Sequence, residues 1–147
     1  MASSQPDRDL TSTLHLGVRQ VVENSPELRL TKNLELLTLQ DRKVLAELSP
    51  KSSMLIVHRG PSKGARFLIG VEGAFVGRSV ESDVFLDDVT VSRQHAQVLF
   101  TEGRYFLRDC GSLNGTYLNN MSITNSALST GDEIQIGKFH MLYFGGK

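Results

Sequence analysis

Residues 84–98 read VFLDDVTVSRQHAQV. A short apolar run leads into a polar turn, and a second alternating run leaves it, so the stretch reads as strand, turn, strand. The turn brings Ser92, Arg93 and His95 within four positions. Two chemistries fit such a turn: a nucleophile beside its base, or a loop that grips a ligand. A hydrolytic triad also needs a third group to orient the imidazole and donors for an oxyanion. No Gly-x-Ser-x-Gly elbow is present, and His95 stands at the first position of the following strand. The arrangement therefore favours a histidine that braces the loop, and no catalytic residue is assigned.

Working outward, the same grammar repeats. MLIVHR (54–59), the turn GPSKG and ARFLI (65–69) form a hairpin pattern, followed by GAFVG, DVFL, HAQVLF and RYFLRD, with Glu102-Gly103 turning between the last two. GTYLN, SIT, DEIQI and FHMLYF complete ten short strands separated by Gly, Asn or Asp. Many short strands at close spacing predict an all-β antiparallel sandwich. The chain changes character near Ser49-Pro50. Before it there are no Phe or Tyr and only Gly17 among the 13 glycines. We expect a flexible, partly helical N-terminal arm over residues 1–50 and a β-domain over residues 51–147. In the arm, Leu10, Leu14, Val18, Val21 and Val22 fall at helical spacing, with Pro26 closing the run. Val44, Leu45 and Leu48 form a second, shorter apolar face. Short helices of this kind need tertiary packing to persist.

The composition narrows the function classes. The 147 residues carry 16 Lys+Arg and 16 Asp+Glu, a net charge of zero. Proteins that coat nucleic acid usually carry a basic excess, so nucleic acid is not an expected partner. No apolar run approaches the roughly 20 residues that span a bilayer. The start MASSQPDRDL is polar and acidic, unlike a secretory signal. A single cysteine, Cys110, permits no intrachain disulfide and fits a reducing compartment; it is expected half-buried in a strand. We read the chain as cytoplasmic. His15, His58, His95 and His140 are scattered without paired ligand spacing, so no metal or cofactor is expected.

Two further loops share the flavour of the first. VGRS (76–79) places Gly77, which permits close backbone approach, before the rigid donor fork of Arg78. GSLNGT (111–116) contains Asn114-Gly115, a pair suited to positive φ. Together the three loops supply a guanidinium, a hydroxyl and a carboxamide, donors suited to a phosphate and to a peptide backbone. The set Gly77-Arg78, Ser92-Arg93-x-His95 and Asn114-Gly115 resembles the forkhead-associated (FHA) domain over about residues 55–144. The resemblance implies an eleven-stranded sandwich whose loops at one end bind phosphothreonine peptides. It implies Arg78 and Ser92 on the phosphate, Asn114 on the peptide main chain, and Arg93 and Leu113 lining the pocket. Gly77, His95 and Gly115 take architectural roles.

SDVFLDDVTVSRQHA, GSLNGTYLN and GDEIQIGKF are also similar to a group of actinobacterial FHA proteins, the glycogen accumulation regulators and oxoglutarate dehydrogenase inhibitors. That resemblance implies partners: 2-oxoglutarate dehydrogenase, glutamate-metabolising enzymes, and a Ser/Thr protein kinase that modifies a threonine in the arm. The phosphorylated arm would then occupy its own domain and release the enzymes. The segment ELLTLQDRKVLAEL (35–48) places Thr38 where the relatives carry one of twin threonines, but the second threonine and the flanking Ser-Val-Phe are absent. Thr38 also reads as a helix N-cap with an acid three residues on, and both readings stand. Thr11, Thr13 and Thr31 are weaker candidates in the same arm. From Thr38 to Leu55, a flexible linker spans roughly 20–25 Å on average and 55–60 Å when stretched. That reach allows self-binding at an effective concentration of about millimolar. The alternative is an adaptor that joins phosphorylated proteins without self-inhibition.

Overall fold

The computed structural model describes residues 25–146. The apolar run 10–22 and the threonines Thr11 and Thr13 lie outside the described residues. Two helices come first, α1 (Pro26–Leu34) and α2 (Leu39–Ala46). Eleven strands follow: β1 (Ser53–Arg59), β2 (Arg66–Ile69), β3 (Ala74–Gly77), β4 (Val84–Phe85), β5 (Ala96–Thr101) and β6 (Arg104–Asp109). The rest are β7 (Thr116–Leu118), β8 (Met121–Ile123), β9 (Asn125–Ala127), β10 (Glu133–Ile136) and β11 (Phe139–Gly145). They form a five-stranded sheet, β9-β6-β5-β3-β4, and a six-stranded sheet, β2-β1-β11-β10-β7-β8. Every pairing is antiparallel except β3 with β4, which is parallel. All ten strands read from the pattern are present. The eleventh, β9, is the three-residue NSA stretch, which offers no apolar alternation and joins β6 through its backbone.

The core fills the space between the sheets. Val76, Val98 and Leu107 from one sheet meet Leu55, Ile134 and Met141 from the other. β1 and β11 are apolar on both faces. Their register pairs Met141 with Val57 and Tyr143 with Leu55 toward the core, and Leu142 with Ile56 and Phe144 with Met54 away from it. A strand buried on both faces reads as a continuous apolar run rather than an alternating one, as MLIV and MLYF do.

The helices supply the second cover. Leu37 joins Met54, Ile56, Leu142 and Phe144, with Leu30, Leu34, Val44, Leu45 and Leu48 packed around them. The second apolar face expected in residues 1–50 thus lies in and just beyond α2. Pro26 opens a helix: it occupies the first turn of α1 behind the N-cap Ser25, whose hydroxyl accepts from the Leu28 N–H. There its missing N–H costs nothing. α1 is tied down by Asn33 Nδ2, which donates to Gly131 O at 2.6 Å. α2 is tied down by Arg66 on β2, 3.1 Å from the Asp41 carboxylate.

Ile134 is 0 % exposed at the centre of the core. Ile134→Ala should lower unfolding stability by about 2–5 kcal/mol, read from urea midpoints. Leu113→Ala, on a side chain 90 % exposed, should stay within about 0.5 kcal/mol of the parent.

Candidate functional site at the loop end

Three connections are bonded into one unit: β3–β4 (78–83), β4–β5 (86–95) and β6–β7 (110–115). Backbone bonds join the first two, Arg78 N–H to Ser92 O at 3.0 Å and Ser79 N–H to Arg93 O at 3.2 Å. They approach so closely that a Cβ on Gly77 would stand 2.0 Å from Arg93 O. Only glycine leaves that room.

His95 joins the second connection to the third. It is fully buried. Its Nδ1 accepts from the Ser92 N–H at 3.0 Å, and its Nε2 stands 2.8 Å from Gly115 O. Because Nδ1 accepts, the ring is the Nε2–H tautomer and Nε2 donates. Both nitrogens are therefore committed to backbone. The Ser92 hydroxyl does not meet the imidazole; it accepts from the Leu113 N–H at 3.0 Å. The Ser92–His95 pair thus lacks the hydrogen bond that a nucleophile and its base require. Gly115 holds φ +85°, the left-handed conformation foreseen for Asn-Gly.

Arg78 reaches across the loops, its Nε donating to Val91 O at 3.1 Å. Among the described residues its terminal nitrogens bond nothing. Ser92 keeps its hydroxyl proton for an outside acceptor, since its oxygen is the acceptor within the fold. Asn114 Nδ2 donates to Thr90 O at 3.0 Å, which leaves its carboxamide oxygen for another donor. Arg93 is exposed, as is Leu113. Arg78, Ser92, Arg93, Leu113 and Asn114 thus stand on loops bonded to one another. Thr38 stands apart, as the N-cap of α2 against β2. Cys110 is exposed and follows β6, not half-buried within a strand: its N–H adds one more rung to the β5–β6 pairing, on His95 O, before the chain turns at Gly111.

The sequence reading missed a hub. Thr90 Oγ1 accepts from the Lys138 N–H at 3.1 Å and donates to Asp88, while Thr90 O holds Asn114. A Cβ on Gly137 would lie 2.3 Å from Thr90 Oγ1. One threonine thereby docks the β10–β11 turn onto the other loops, beside a groove of about 320 Å³ lined by Thr90, Asn114, Tyr117, Gln135, Gly137 and Lys138. Hydrogen bonds from the Thr90 side chain and backbone, with Lys138 nearby, hold the Asp88 carboxyl below its ordinary value. Also missed were Val80 and Val89, 83 % and 90 % exposed, which give each loop an apolar tip alongside Leu113. The signal available in the sequence was a valine set between polar neighbours in each turn.

Among the described residues, no group of His, Cys, Asp or Glu could hold a metal, and no helix is long and apolar enough to cross a membrane.

The family model of the FHA domain matches residues 74–137. The oxoglutarate dehydrogenase inhibitor of Corynebacterium efficiens is 53% identical over 95 residues, covering 65% of this chain and 67% of that protein. The glycogen accumulation regulator of Mycobacterium tuberculosis is 46% identical over 99 residues, covering 67% of this chain and 61% of that one. Among solved structures, an FHA domain from Chlamydia trachomatis superposes with a TM-score of 0.61 at 26% identity, over 65% of this chain and 99% of that one. One from a study of phosphothreonine-dependent FHA interactions gives 0.60 at 25% identity, over 65% and 98%.

The third loop is held from below by Asp109. Burial pushes its carboxyl up, but bonds donated by the Ser112 and Thr116 hydroxyls and by the Ser112 and Gly111 N–H groups outweigh burial, so it lies below the ordinary 3.8. The folded state thus holds this proton less tightly than the unfolded chain. The stabilisation is complete above the unfolded value and disappears as pH falls through the lower folded one. Asp109→Asn should reduce stability at neutral pH and flatten the acid limb of the stability curve below about pH 5, as measured by urea unfolding.

Proposed function

The chain belongs to the FHA-domain family, and on that premise we propose that it is a regulator that reads phosphothreonine at the loop end. The observation that carries this reading is the joining of three loops so that the Arg78 guanidinium and the Ser92 hydroxyl remain available. A phosphothreonine side chain carries about −1.5 to −2 charges and three acceptor oxygens. Arg78 and Ser92 are proposed to hold those oxygens, Asn114 the peptide main chain, and Arg93 and Leu113 the pocket wall. Gly77, His95 and Gly115 keep the cradle in shape. None of these roles requires catalysis.

The names of the relatives extend the proposal. We place this chain as a cytoplasmic inhibitor of 2-oxoglutarate dehydrogenase that also modulates glutamate-metabolising enzymes. Because the match spans about two thirds or less of those relatives, enzyme partners belong to the proposal. A Ser/Thr kinase would phosphorylate Thr38, and the modified arm would occupy Arg78, Ser92 and Asn114 in cis, switching inhibition off. In this scheme residues 1–50 regulate and residues 51–147 bind. The adaptor reading draws on a separate observation. Thr38 is engaged in its helix cap, which leaves the cradle open to phosphothreonines on other proteins.

Titration calorimetry with a phosphothreonine peptide should show saturable binding that the unphosphorylated peptide lacks. Arg78→Ala and Ser92→Ala should each weaken it about 10- to 100-fold, since a hydrogen bond to a charged group contributes about 1.5–3 kcal/mol. Undiminished binding by Arg78→Ala would remove the reading. For the switch, kinase treatment of the full chain should shift the NMR signals of Arg78, Ser92 and Asn114 independently of dilution, and relieve inhibition of purified 2-oxoglutarate dehydrogenase. In the adaptor, those signals stay still until an outside phosphopeptide is added.

A further inference from the structure

Resting on that reading, we infer that the docked helix α2 is a latch on Thr38, and that the phosphate itself opens it by displacing Asp41. The docked state and the cradle compete for the same backbone. In the docked state the Thr38 N–H donates to Asp41 Oδ2 at 3.0 Å, and the Thr38 carbonyl accepts from the Arg42 N–H at 3.1 Å. Its hydroxyl accepts from the Asp41 N–H at 3.0 Å. A cradle that reads peptide main chain needs those groups unwound from the helix. The neighbour Leu37, 8 % exposed, is anchored among Met54, Ile56, Leu142 and Phe144. While Leu37 stays there, Thr38 keeps its place as the cap of α2.

Thr38 itself is exposed, with its hydroxyl engaged by the Asp41 N–H. The charge balance beneath it is already closed. A helix N-terminus offers roughly half a positive charge, and Arg66 adds one cation, 3.1 Å from Asp41 Oδ1. Asp41 consumes both: one oxygen caps the helix and the other meets Arg66. Asp41 is only 7 % exposed, so it has little solvent to retreat into. A dianion on Thr38 would contend with this carboxylate for the same donors. Placed beside an acid, a phosphate disrupts, although a helix start without one would welcome it. The first turn of α2 yields, Asp41 returns to water, and Leu37 loses its hold on the sheet. Modification thus supplies both the ligand for the cradle and the release of the segment that carries it. The strip of Met54, Ile56, Leu142 and Phe144 loses part of its cover at the same moment.

The test separates release from capture. The full chain carrying phosphothreonine at residue 38, installed by semisynthesis, is prepared with Arg78→Ala to disable the cradle. Hydrogen exchange is followed over residues 39–46. The latch predicts exchange at least about tenfold faster than in the unphosphorylated Arg78→Ala chain. That acceleration should shrink on raising salt from about 0.05 to 0.5 M, since the repulsion is screened. Adding Asp41→Asn should also shrink it; if that change alone frays α2, the salt series decides. Unchanged or slower exchange, or a salt-insensitive acceleration, overturns the latch. With Arg78 intact, faster exchange without movement of the Arg78, Ser92 and Asn114 signals would support the latch and remove self-binding from the proposed function.

Discussion

A buried imidazole has two nitrogens to satisfy, and His95 spends both on backbone from different loops. One accepts from the residue that offers the hydroxyl; the other donates to the residue after the carboxamide. The loop end hangs on that arrangement. A loop alone samples many conformations, and ordering it costs about 1–2 kcal/mol per residue. Here much of the ordering is done before any ligand arrives, because His95, the Gly77 clearance and the Thr90 hub fix three loops and a turn relative to one another. The same bonds explain why serine and histidine sit close in sequence without forming a catalytic pair.

Beneath the loops, the sandwich solves an unusual covering problem. β1 and β11 are apolar on both sides, so a second layer is needed outside the six-stranded sheet. α1 and α2 provide it, held at one end by Asn33 on the β9–β10 turn and at the other by the Asp41–Arg66 pair. The layer is thin. α1 has no buried residue of its own and α2 buries only Asp41, with Leu37 between them supplying the one deeply seated apolar anchor. Segments with few buried apolar contacts open at low cost, which suits the release proposed for α2.

Much of this was legible in the sequence. Ten strands announced themselves through apolar runs and turn residues, and the three loops through residue types that rarely coincide by chance. Thr38 carried the signature of a cap, and its capping box is formed. The gaps have physical causes. β9 is held by backbone pairing, to which a polar NSA stretch gives no sign. α1 went unread because Pro26 was taken only as the close of the preceding run, and a proline in the first turn also opens a helix. Thr90 was invisible because its importance lies in bonds to residues 24 and 48 positions away. The outer helical layer went unread, although the unbroken apolar runs in β1 and β11 call for cover on two sides.

Asn114 and Gly115 carry one more consequence. An asparagine followed by glycine is prone to cyclise, its side chain attacked by the next backbone nitrogen, and to age into aspartate or its iso form. Here the Gly115 nitrogen is engaged with Ser112 Oγ at 3.0 Å, and the Asn114 amide with Thr90 O. The fold keeps nucleophile and target occupied, so this chemical clock runs slowly while the loop stays closed. Whenever the loop opens it advances, and each tick would put a carboxylate in place of the carboxamide that bonds Thr90 O. The cradle's rigidity is thus also its shelf life.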